Sequence, residues 1–175
     1  QKGLLNANLK TDFDSFDVLA SVGDPFQAFS MGLLIGARLA NQTVILSGGS
    51  QMLAVILLVL EFLGAKNRND FIEDVLIATT GWLVKDNSLN DLLNLINEKY
   101  GISLLGLASP LNFKSSICKE LKDYEFGHVK EGVGAGGISI LAFLNGYENN
   151  EIVSLCQQNL EIMKGLGQIS LEKDC

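Results

Sequence analysis

Three short apolar runs, from Thr43 to Leu46, from Val75 to Ala78 and from Ser103 to Leu107, constrain this chain more than any other feature. Each is apolar without alternation, the pattern of a strand buried on both faces of a sheet. Each ends in small or turn-forming residues: Ser47-Gly48-Gly49-Ser50, Thr79-Thr80-Gly81 and Ala108-Ser109-Pro110. A segment of helical character follows each one. Parallel strands cannot be joined by a tight hairpin and need such a crossover. The order strand, helix, strand, helix therefore predicts an α/β fold: a three-layer, Rossmann-like parallel sheet with helices on both faces, plus C-terminal helices.

The helices announce themselves at their starts. Asp24-Pro25-Phe26-Gln27 combines an N-cap carboxylate, a proline in the first turn and glutamine at the capping-box position. The helix it opens runs to about Ala40, carrying Phe26, Phe29, Leu33, Ile35, Ala37 and Leu39, with Gly32 and Gly36 as close-packing positions. A second helix is expected from about Gln51 to Leu63, then a polar connection from Lys66 to Asp70. Ser88 caps a third, with Leu92, Leu93, Leu95 and Ile96 on its buried side. A fourth is expected around Lys114 to Leu121, and a fifth from about Ala135 to Leu144. The last, from Glu151 to about Leu166, shows an imperfect stripe of Ile152, Leu155, Leu160, Ile162 and Met163, with Gly165 and Gly167 as its stop. No internal repeat or low-complexity segment interrupts this order, which reads as one α/β domain over residues 1–175.

Composition narrows the function. A chain of 175 residues with 47% apolar and 19% charged residues is globular. Its net charge of −7, with no basic run, argues against a nucleic-acid partner. A small anionic substrate is still compatible, because helix N-termini hold phosphate through backbone N–H groups. One histidine, His128, and three cysteines without CxxC spacing point to no metal and no cofactor, and to reduced thiols in a cytoplasmic protein. The most apolar run, Met52 to Leu60, falls far short of the ~20 residues a membrane span needs, so it is read as a buried helix. Gln1 rather than Met opens the sequence, and no charged stretch leads into an apolar one. Those features suggest a chain that starts inside a longer polypeptide, without a signal peptide.

Open parallel sheets bind ligands beyond the carboxyl ends of their strands, which singles out two segments. Ser47-Gly48-Gly49-Ser50 joins a strand to a helix, so its backbone can touch a ligand beside unpaired N–H donors. Read without a ligand, it is a tight strand-to-helix turn. Lys130-Glu131-Gly132-Val133-Gly134-Ala135-Gly136-Gly137 places four glycines in six residues ahead of an apolar helix, an anion-nest pattern with the Glu131 carboxylate beside it. It is not a P-loop, lacking Gly-Lys-Ser/Thr, nor a dinucleotide fingerprint, since no βαβ unit follows. Trp82 and His128 read as structural, and Asp123 and Glu125 as a solvated face.

The segment from Phe16 to Ala37, with its Val22-Gly23-Asp24-Pro25-Phe26 turn, followed by Thr43-Val44-Ile45-Leu46-Ser47-Gly48-Gly49-Ser50 and later by Glu131-Gly132-Val133-Gly134-Ala135, resembles the nicotinate-nucleotide:dimethylbenzimidazole phosphoribosyltransferase family. The resemblance covers about residues 14 to 145, in order, and corresponds to the C-terminal half of that family's fold. Another glycine-rich loop of the family, which helps bind nicotinate mononucleotide, lies earlier and outside this sequence. Lys130 stands where the family commonly has glycine, Val133 where it has a hydroxyl residue, Asp24-Pro25 replaces a small-aromatic pair, and Ser109-Pro110 only echoes a longer family segment. These departures resemble the divergent archaeal and cyanobacterial branch.

The resemblance implies transfer of phosphoribosyl from nicotinate mononucleotide to a benzimidazole-type base, in cobamide nucleotide-loop assembly, by a homodimer. It implies Glu131 as the catalytic base. Gly132, Gly134, Ala135, Gly136, Ser47, Gly48, Gly49, Ser50 and Ser109 are the expected substrate-binding positions. The competing expectation is a nucleotide-binding relative that has lost transfer activity.

Overall fold

The computed structural model describes residue 6 and residues 12–85, 87–128 and 133–173, the side chains as far as residue 166. Its centre is a three-stranded parallel sheet in the order β1-β2-β3, with β1 Val44–Ser47, β2 Val75–Thr80 and β3 Leu105–Ser109. Val44 pairs with Val75 and Ser47 with Ala78; Leu76 pairs with Leu105 and Thr80 with Ser109. The fold is the α/β, Rossmann-like architecture expected, with the strands reaching further toward their carboxyl ends. Ser47, Thr79, Thr80 and Ser109 stay in the ladder because pairing uses backbone groups, which small polar residues supply as well as valine does.

The start of β3 has a local cause. Asn97 accepts the Leu104 N–H at 2.9 Å and donates to the Leu104 carbonyl at 3.1 Å. Both backbone groups of Leu104 are thereby taken, so the ladder begins at Leu105 rather than at Ser103.

Two short capping boxes open the helical part. Asp14 caps α1 (Ser15–Val22) and Asp24 caps α2 (Pro25–Leu39), each answered by the residue three places on, Asp17 or Gln27. The expected proline start of α2 is present. Helix α3 (Ser50–Leu63) forms the core: Leu53, Val55, Ile56, Val59 and Leu60 are fully buried. Burying a side chain of that size stabilises by about 1.5–3 kcal/mol. After α3 the expected polar connection is instead a 3₁₀ turn, Ala65–Asn67, and a short helix α4, Arg68–Ile72. Ile72 is buried there, and Arg68 donates to the Leu60 carbonyl at the end of α3, which holds the turn against the core.

Beyond β2 come α5 (Gly81–Val84) and α6 (Ser88–Tyr100). The buried residues of α6 are Leu89 and Ile96, with Leu92 and Leu93 half-buried, whereas Leu95 is 60% exposed. Leu95 was expected inward; it sits about 100° around the helix from Ile96, off the stripe defined by Leu89 and Ile96. The expected helix around Lys114 to Leu121 shrinks to α7, Lys119–Lys122. Ser116 Oγ accepts the Cys118 N–H and donates to Gln157, whose Oε1 also accepts the Ile117 N–H. Those side-chain bonds replace helical ones along the segment.

Helix α8 (Ala135–Leu144) lies on the sheet face opposite α3 and α6. Helix α9 (Asn149–Lys173) runs through Gly165 and Gly167, which were expected to stop it. A glycine inside a helix costs about 1 kcal/mol and does not by itself end one. Val153 is its buried anchor; Leu155, Ile162 and Met163 of the expected stripe are exposed. Val153 joins Leu111 and Phe113 in a second, smaller core, packed by Trp82, Tyr124 and Cys156. Burial there pushes the Cys156 thiol above its ordinary range. Among the described residues no single helix is long and apolar enough to cross a membrane.

The contrast between α3 and α6 is measurable. Ile56→Ala is expected to lower unfolding free energy by about 2–5 kcal/mol, while Leu95→Ala should stay within about 0.5 kcal/mol. Urea denaturation of both variants tests the assignment, and equal losses would contradict it.

Candidate functional site

The carboxyl ends of the three strands meet the start of α8. At β1, Ser47 Oγ donates to the Gly134 carbonyl and accepts the Gly137 N–H at 2.8 Å. At β2, Gly136 lies against the backbone of Thr79 so closely that a Cβ there would overlap the Thr79 carbonyl group. A Cβ on Gly137 would overlap Ser47 Oγ. At β3, Ser109 and Ser139 pair through their hydroxyls at 2.7 Å, both buried. Ser109 Oγ also accepts the Leu111 N–H at 3.1 Å, and carbonyls of Ala135 and Gly136 lie within reach of Ser139.

This geometry sorts the expected site residues. Ser47, Gly48, Gly49, Gly134 and Gly136 come together around the ends of β1 and β2, with Ser50 and Ala135 exposed at the rim. Gly136 does less for a ligand than its place in the motif suggests: its N–H is bonded to the Val133 carbonyl at 3.1 Å and it is buried. Ser109 is turned inward, its hydroxyl occupied by Ser139 and Leu111, so it ties β3 to α8. Glu131 and Gly132 lie outside the described residues.

What can hold an anion here is backbone. Helix α3 begins at Ser50 with Gly49 as N-cap and no side-chain capping bond, and α8 begins at Ala135 with Gly134 as N-cap, likewise without one. The Gly48 N–H is consumed by the Ala78 carbonyl at 2.8 Å, but Gly49 and Ser50 open the first turn of α3, where helical N–H groups lack intrahelical partners. The start of α3 and the start of α8, whose Gly136 and Gly137 N–H groups are already bonded, therefore adjoin at Ser47, and both direct partial positive charge toward that corner. Among the described residues no group of three or more His, Cys, Asp or Glu side chains is placed to hold a metal ion.

Three residues carry roles the sequence did not signal. Ser139 is the buried partner of Ser109, and nothing in a run of apolar helix marks it. Thr79 Oγ1 is buried without a hydrogen-bond partner. Glu125, expected on a solvated face, is partly buried and accepts the Trp82 indole N–H at 3.0 Å and the Phe113 N–H at 2.7 Å. It holds Trp82 stacked on Phe113, with ring centroids 5.2 Å apart, in agreement with a packing role for Trp82. His128 is exposed and 3.6 Å from Asp123. A cavity of about 400 Å³ lies away from the strand ends, between α1, α2, α3 and α6, and is lined by Leu19, Leu57, Glu61 and Tyr100 among others.

No protein-family model matches the chain. It is similar to UPF0284 proteins. That of Prochlorococcus marinus strain MIT 9312 is 91% identical over 175 residues, which is all of this chain and 46% of the relative. That of Prochlorococcus marinus strain MIT 9313 is 40% identical over 172 residues, 94% of this chain and 43% of the relative. A UPF0284 protein of Picosynechococcus sp. is 39% identical over 162 residues, 91% of this chain and 43% of the relative. The chain thus spans about half the length of the curated relatives it matches.

The close seating of α8 can be tested against an open glycine. A Cβ at Gly136 meets the Thr79 backbone, whereas nothing lies within 4 Å of one at Gly32 in α2. Gly136→Ala should therefore destabilise by about 1–3 kcal/mol or more, and Gly32→Ala should stabilise by about 0.5–1 kcal/mol. Thermal unfolding compares the two; a Gly136→Ala protein as stable as the parent would remove the close contact.

Proposed function

We propose that this chain is part of a phosphoribosyltransferase that moves the ribose 5-phosphate of nicotinate mononucleotide onto a nitrogen of a benzimidazole-type base. The product is an α-riboside phosphate suited to cobamide nucleotide-loop assembly, and the enzyme works in the cytoplasm as a homodimer. The observation that carries this reading is the juxtaposition of two helix starts, the uncapped α3 and α8, joined through Ser47 at the carboxyl ends of β1 and β2. Open α/β sheets take ligands at such a position, and a chain of net charge −7 can bind a phosphate there through backbone N–H groups. Glu131 stands three residues before Gly134 in the sequence.

The chemistry asks little of the protein beyond position and one base. Nicotinate attached to C1′ is a pyridinium, so the C1′–N bond breaks with its electron pair returning to nitrogen, and nicotinate leaves with a neutral ring. The incoming azole nitrogen forms the new bond to C1′ and must lose its proton, which requires a general base. Glu131 takes that proton. Attack from the face opposite the leaving group inverts C1′. N–H groups of Gly49, Ser50 and Ala135 hold the ribotide, while Gly136 and Ser109 act indirectly by seating α8.

A second reading, ribotide binding without transfer, is favoured by Lys130 and Val133, which stand where the resembled family has glycine and a hydroxyl residue. Nicotinate release by the full-length protein, with a panel of benzimidazoles and purines, separates the two. Glu131→Gln is expected to lower acceptor-dependent release by about 10²–10⁴-fold while leaving nicotinate mononucleotide binding intact. Release unchanged in that variant would remove Glu131 as the base. Ribotide binding by the parent protein without release on any acceptor would establish the non-catalytic reading.

A further inference from the structure

Strand β3 is one of the two edge strands of the described sheet and the more exposed of them, β1 being half-buried throughout, yet it is built like an interior strand. Its five residues, Leu105-Gly106-Leu107-Ala108-Ser109, contain no charge and no proline. Leu105 is 59% and Leu107 38% exposed. Edge strands that face water are normally blunted by lysine, proline, a bulge or an inward charge, because their free N–H and C=O groups otherwise template further pairing. None of those devices occurs within β3.

Apolar hollows flank this edge on both faces of the sheet. One, of about 80 Å³, lies on the α6 side and is lined by Val84, Leu93, Gly106 and Leu107. The other, of about 270 Å³, lies on the α8 side and is lined by Leu107, Pro110, Ile140, Phe143 and Leu144. Leu144 is 75% exposed beside it. A helix laid on the sheet would fill one hollow. A strand paired to β3 would send alternate side chains to the two faces and fill both. The exposed edge, the unguarded sequence and the two hollows therefore specify the same occupant.

We infer that the outer edge of β3 is the seat of a further β-strand, supplied by the part of the full-length protein that lies outside this chain. More than half the length of each relative described above falls outside the match, so the required chain exists in proteins of this kind. The covering strand carries apolar side chains on both faces, as a strand interior to a parallel sheet does. This inference is independent of the transfer chemistry and survives if that proposal fails.

The full-length UPF0284 protein of Prochlorococcus marinus strain MIT 9312 provides the test. Hydrogen exchange should be slow over the segment aligned with residues 105–109, comparable with the segment aligned with β2. A photo-crosslinking phenylalanine analogue at the position aligned with Leu105 should capture a peptide from outside the matched region, with no dimer band on a denaturing gel. Exchange within seconds over that segment would overturn the inference, and so would a dimer band in which the captured peptide is the β3 segment of a second copy. The exchange measurement uses unmodified protein, so it decides the matter even if the analogue disrupts folding.

Discussion

Where α8 crosses the strand ends, Gly136 lies against the Thr79 backbone and Gly137 against Ser47, at distances that admit no side chain. That approach lets one helix reach all three strands: β1 through the Ser47 hydroxyl, β2 through direct backbone contact, and β3 through the Ser109–Ser139 pair. A helix held off by even one methyl group would lose the Ser47 bonds, since hydrogen bonds weaken steeply with distance and angle. The hydroxyls matter for the same reason. Ser109 and Ser139 are almost wholly buried, and each would be costly to bury unpaired.

The same contact shapes the candidate site. Glycines near a strand end invite the reading that all of them line a ligand, but α8 uses Gly136 and Gly137 to approach the sheet and binds their N–H groups internally. What it leaves at the surface is the pair of helix starts on either side of Ser47. Their partial charges are fixed by the backbone, so they need no lysine or arginine. A strongly acidic chain can thus present a local anion site without a basic patch.

Outside that corner the structure divides into a large core around α3 and a small one around Trp82, Phe113 and Val153. Glu125 belongs to the second, where one carboxylate satisfies both an indole and a backbone N–H. It sits in a charged run beside Asp123, which is why its neighbours suggest solvent. Whether a charged side chain faces inward depends on what waits for it there, and Trp82 is 43 residues away.

Local patterns carried much of the fold. Unalternating apolar runs separated by helical segments were sufficient for a parallel α/β sheet, because hydrophobic periodicity reports how each element is buried. Asp24, Pro25 and Gln27 marked the start of α2 because capping is a contact among neighbours in sequence. The apolar stretch of α3 was long enough to name the core helix. The late start of β3 at Leu105, the outward turn of Leu95 and the loss of the helix before Lys119 were settled by Asn97, by helix phase and by Gln157. Which glycines pack and which stay open was decided only when Ser47 met residues 87 and 90 places further along the chain. Sequence alone determined the class of fold and about where α2, α3 and α6 begin, since those follow from short-range backbone preference and burial. Tertiary structure decided which donors and hydroxyls remain free at the strand ends, since each is spent or spared by a partner far away in the chain.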